Sequence, residues 1–161
     1  MKDEDTKTRV EPPASEDEAS EEGSLNDMLQ ELRILLQGAQ VLTAFLIVVP
    51  FNQGFDKVHD FEKWVYTATF ICSIASLIFF SAPAAHHRLA RPLLNRVLFK
   101  LFATRMILVG LVFLSFALIL VTQLVVSQVI GPIVSIFVTI FVSLIILVIW
   151  WLFPLTHKER L

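Results

Sequence analysis

From Met106 to Thr156 the chain runs for 51 consecutive residues without a single Asp, Glu, Lys, Arg or His. A water-facing domain needs charge at far shorter intervals, whereas two membrane crossings need about 20 apolar residues each. This stretch therefore lies in lipid and crosses it twice. Charge elsewhere is segregated rather than sparse, since residues 1–31 carry 11 of the 15 acidic groups. Hydrophobic residues make up 55% of the whole, above the roughly 45–50% usual for a soluble domain.

Four apolar segments can be marked out: Ile34–Phe51, Trp64–Ala82 closed by Pro83, Met106–Val126, and Ile133–Phe153 closed by Pro154. Gly131 and Pro132 supply the turn before the fourth. Each segment makes roughly 27–32 Å of helix, the thickness of the hydrocarbon core. A β-barrel would show alternating segments of about 10 residues instead of unbroken apolar runs. The fold class expected is an all-α membrane protein with four transmembrane helices, residues 24–161. Residues 1–23, "MKDEDTKTRVEPPASEDEASEEG", hold nine acidic against three basic residues and no apolar run. That composition predicts a disordered acidic tail and lacks the basic start and apolar stretch of a signal peptide.

Basic residues predict the orientation. Eleven of the 13 Lys and Arg precede span one, lie between spans two and three, or follow span four; only Lys57 and Lys63 fall on the other side. The expectation is a multi-pass protein of the bacterial plasma (inner) membrane with both termini cytoplasmic. Trp64, Tyr66, Trp150 and Trp151 fall at span ends, where aromatic belts belong. Cys72 has no second cysteine to pair with.

The approach to span one is polar. Ser24 and Asp27 fit a capping box, which predicts a helix start at residue 24 or 25. From there Asn26, Gln30, Arg33, Gln37 and Gln40 follow at spacings of 4, 3, 4 and 3, one stripe on a helix face. Two readings follow. In one, the stripe is an interfacial ramp with Gly38 marking a bend into the bilayer. In the other, Glu31, Arg33, Gln37 and Gln40 line a polar crevice or ion path, because intramembrane polar groups face protein or water rather than lipid. No span contains a carboxylate near its middle, which counts against proton coupling.

Gly131, Ser135, Thr139 and Ser143 recur every fourth residue in span four, a candidate helix-packing face. Thr69, Ser73 and Ser76 give span two a comparable face, so these two spans are expected to pack together. In the 84–105 loop, His87, Arg88, Arg91, Arg96 and Lys100 are expected to contact anionic lipid headgroups, each such contact contributing roughly 1 kcal/mol. That loop is read either as an amphipathic surface segment or as an extension of the third helix, with the acidic tail competing weakly for its charges. His86 and His87 are adjacent and so point about 100° apart on a helix, which does not suit a metal site. No nucleophile–base pairing or ligand spacing is evident, so neither enzymatic activity, cofactor, metal nor nucleic-acid partner is expected.

The strings "LNDMLQELRILLQGAQVLTAFLIVVPF" and "APAAHHRLAR" resemble a bacterial family of small four-helix integral membrane proteins of unknown function. Glu31, Leu32, Arg33, Gly38, Gln40, Ala44, Phe45, Pro50 and Phe51 match its pattern over the first span, and Pro83, His87 and Arg88 match near the second. Gln37 stands where that family often has proline. The resemblance covers nearly all of residues 25–153 and implies a four-helix membrane domain in a bacterial plasma membrane; some relatives carry a sodium:proton antiporter label. The function expected is therefore a non-enzymatic membrane protein packing with itself as a homo-oligomer or with another membrane protein. The alternative is a small cation/proton antiporter or channel acting as an oligomer.

Overall fold

The computed structural model describes residues 16–55, 58–89, 96–153 and 156. Within them the chain forms four helices: α1 Glu16–Val48, α2 Asp60–Leu89, α3 Arg96–Val129 and α4 Pro132–Ile146. A 3-10 turn, Val49–Phe51, ends α1, and a π-helical turn, Leu147–Leu152, continues α4. Four stretches are long and apolar enough to cross a membrane: Asp27–Phe51, Asp60–His86, Leu98–Val129 and Pro132–Leu152. The protein is thus a multi-pass membrane protein of the fold class expected, with spans that overrun the apolar segments at several ends.

Two helix ends differ from expectation. Ser24 is not a cap, because α1 begins at Glu16 and runs through it. The earlier part of the acidic tail lies outside the described residues. Pro83 likewise does not close α2, which continues to Leu89. Proline removes one backbone donor, the one that would serve the Phe79 carbonyl, a defect that membrane helices tolerate. Gly38 does not interrupt α1, which is continuous across it.

Successive helices pack as neighbours: α1 on α2, α2 on α3, and α3 on α4, with a slight touch of α1 on α3. Among the described residues the backbone of α4 approaches no helix but α3. The expected pairing of spans two and four does not form. Thr69, Ser73 and Ser76 are buried; Ser73 meets α1, with Thr43 Oγ1 and Ser73 Oγ 2.6 Å apart, while Thr69 and Ser76 donate to the Val65 and Ser73 carbonyls of their own helix. Thr43 donates to the Ala39 carbonyl at 2.8 Å, so Ser73 is the donor between the two hydroxyls.

Leu32, Ala39, Phe80 and Leu114 form a buried cluster at the end of the bundle that carries the α2–α3 turn, with Trp150 packed against it. Phe80 meets Gly110 of α3 so closely that a Cβ on that glycine would stand 2.5 Å from the ring. Phe79 stacks on Phe113 beside it at 5.4 Å. Gly131 opens α4 at φ 124°, a conformation that favours glycine. Its role is in the turn, since a Cβ there would meet nothing within 4 Å.

Candidate functional site

Apart from hydroxyls that bond within their own helix, two groups of polar residues stand out: those bonded between helices and those on the outer face of α1.

The satisfied ones are cross-helix clasps. Gln123, in the third span, donates through Nε2 to Ser135 Oγ at 3.0 Å and accepts at Oε1 from Thr139 Oγ1 at 2.8 Å. One amide thereby holds two rungs of the candidate packing face of α4. Ser143, the next rung, turns its hydroxyl to the Thr139 carbonyl. At the end away from the α2–α3 turn, Glu62 of α2 accepts from Ser127 (3.4 Å) and Gln128 (2.5 Å) of α3. Tyr66 is not a belt residue: it is buried, and its hydroxyl donates to the Leu46 carbonyl of α1 at 2.7 Å. Pro50, four residues beyond Leu46, has no N–H to give that carbonyl. The tyrosine replaces the bond that the proline removes. Sequence reading missed Gln123, although a lone amide inside an apolar run is itself a signal.

The unsatisfied ones lie on α1. This helix buries Leu32, Ala39, Thr43 and Leu46 and leaves Arg33, Gln37, Gln40, Ala44 and Ile47 exposed, spaced 4, 3, 4 and 3. Glu31 is exposed as well. The four residues proposed for a crevice therefore share the outside of the bundle, and a single chain encloses none of them. Counted from Phe51 at 1.5 Å per residue, Gln40 lies about 16 Å, Gln37 about 21 Å and Arg33 about 27 Å along the span. The hydrocarbon core is about 30 Å thick. Both amides thus stand at hydrocarbon depth, whereas Arg33 reaches the headgroups by extending its side chain.

In the α2–α3 region, Arg88 and Lys100 are exposed. Arg91 lies outside the described residues, as do the side chains of His87 and Arg96. His86 rests against the start of α3, its ring 4.9 Å from Phe102 and 5.8 Å from Phe99. The extension of the third helix accounts for residues from Arg96 onward.

No curated protein and no solved structure matches this chain. Residues 16–154 match the model of a family of unknown function, DUF6328, a span that takes in all four helices, and the chain belongs to that family.

Proposed function

We propose that this is a non-enzymatic membrane protein that associates laterally with a second copy of itself through the outer face of α1. The observation that carries the reading is the exposure of Gln37 and Gln40 at hydrocarbon depth with no partner from another helix among the described residues. An amide bare to lipid is unfavourable, and polar groups at this depth face protein or water. A glutamine side chain carries both donors and an acceptor, so two copies meeting face to face satisfy each other with a single residue type. Ala44 and Gly38 beside the stripe allow close approach. With the basic end of the bundle in the cytoplasm, Arg33 stands at the inner headgroups and the exposed Arg88 and Lys100 face anionic lipid.

The test is energy transfer between labelled copies in vesicles, diluted with lipid. Gln40→Leu should weaken the association about fivefold, the equivalent of roughly 1 kcal/mol for interhelical hydrogen bonds in lipid, without lowering the melting temperature of the single chain. Unchanged transfer in a Gln37→Leu, Gln40→Leu double variant would refute the interface. A cation or proton path is the second reading, favoured by the continuity of Glu31, Arg33, Gln37 and Gln40, which two chains would enclose as a seam. Sodium- or potassium-dependent proton flux in proteoliposomes, lost in Glu31→Gln, would support it; its absence at high protein density would remove it.

A further inference from the structure

Below the Gln123 clasp, α3 and α4 part to leave a groove of about 450 Å3, walled by Val112, Phe116 and Ile119 on one side and Trp151 on the other. Ser115 and Ser143 also line it, but their hydroxyls are spent on the carbonyls of Leu111 and Thr139, each at 2.7 Å. The wall thus offers little but carbon.

Its depth is legible from the helices. Ile119 lies about 15 Å from Val129, and Val112 about 26 Å. The groove therefore runs from the middle of the bilayer to one hydrocarbon edge, the depth of a single leaflet. The groove is about 11 Å long, two turns of helix, a length that part of an acyl chain matches and a membrane-crossing helix of about 30 Å overruns.

Arg105 precedes Val112 by seven residues, two helical turns, and so lies on the same side of α3 about 10 Å nearer the basic end. It is exposed and has no ion-pair partner among the described residues. That height is where the phosphates of the leaflet lie. Trp151 sits at the groove's edge, at the depth where amphipathic rings settle.

We propose that the α3–α4 groove is a binding site for one anionic phospholipid, with an acyl chain laid between Val112, Ile119 and Trp151 and its phosphate on the Arg105 guanidinium. The planar fork of arginine suits a phosphate bidentately, and the groove orients the chain beneath it. The site is separate from the outer face of α1 and does not depend on self-association.

The experiment uses the full chain in mild detergent, exposed to equal amounts of phosphatidylglycerol and phosphatidylcholine with identical acyl chains, then stripped and weighed by native mass spectrometry. One phosphatidylglycerol should be retained in preference. Arg105→Gln should lower that preference about fivefold, the weight of one basic contact, while Arg105→Lys keeps most of it. Ile119→Trp, which fills the groove, should abolish retention of both lipids, with the melting temperature reporting that the bundle still folds. Lys63→Gln removes the same charge from the opposite end of the bundle and should leave the preference near native. Equal retention of the two lipids by the native chain would overturn the proposal, and so would an equal loss in Lys63→Gln and Arg105→Gln, the signature of net charge alone.

Discussion

The seam between α2 and α3 and the seam between α3 and α4 belong to the same helix and lie in the same solvent, yet they are built by different means. On one side Gly110 admits the ring of Phe80, which has no exposed surface, and Phe79 stacks on Phe113. On the other, one amide bridges Ser135 and Thr139, and below it the helices separate around an apolar groove. Lipid tails are as apolar as the side chains they replace, so neither seam is driven by release of water. Close shape holds the first along its length, with Glu62 clasping Ser127 and Gln128 only at its far end, whereas the second depends on a localised polar bond. The contrast marks α1 to α3 as the packed part of the bundle and α4 as an attachment to it.

The largest effect expected follows from breaking the shape-built seam. Gly110→Leu forces side-chain atoms into the space of Phe80, and overpacking of a filled site costs about 1–3 kcal/mol or more. Unfolding in bicelles should show a loss at the upper end of that range, and Gly110→Leu combined with Phe80→Ala should recover part of it. A Gly110→Leu chain as stable as the native one would mean that this crossing is not closely packed.

Breaking the polar seam should do less to overall stability and more to α4 alone. Gln123→Leu removes both rungs, and interhelical hydrogen bonds in lipid contribute about 0.6 kcal/mol on average and up to roughly 1.7. The loss should fall near the upper figure, because two bonds go at once. Cross-linking between cysteines placed on α3 and α4 should slow markedly, while cross-linking between α2 and α3 is unchanged. Equal slowing of both pairs would dissolve the distinction between the two seams.

How much of this was legible in the residues follows the same divide. The four crossings were readable because lipid excludes charge: the 51-residue run from Met106 could lie nowhere else. Helix ends were less readable. Pro83 is punctuation whose local cost is small beside the drive of a long helix to satisfy its own backbone in lipid, so α2 runs through it, and α1 begins ahead of Ser24, at Glu16. Helix pairing was not readable at all. The buried hydroxyls of α2 form a stripe, but a stripe names a face and not a neighbour, and the cross-helix bond of Ser73 goes to α1, not to α4. For the outer stripe of α1 the spacing was plain, while its outward direction depends on which other residues of the helix are buried.

The smallest effect expected concerns α1 and α2, where a third kind of join appears: a bond that repairs a backbone defect. Pro50 leaves the Leu46 carbonyl without its helical donor, and Tyr66 supplies one from the neighbouring helix at 2.7 Å. Tyr66→Phe keeps the ring against Phe55, 5.3 Å away edge to face, and removes only the hydroxyl. The cost should be about 0.6 kcal/mol, the average for a cross-helix bond in lipid. In a Pro50→Ala background the alanine N–H becomes available to the same carbonyl, so Tyr66→Phe should then cost less still. A double-mutant cycle in bicelles measures the difference directly. If the two substitutions prove additive, the tyrosine is serving its own need for an acceptor and not the carbonyl's need for a donor. If they couple, the bond joins α1 to α2 where proline left a gap, and α1 is fastened inward by a means that leaves its amide stripe facing out.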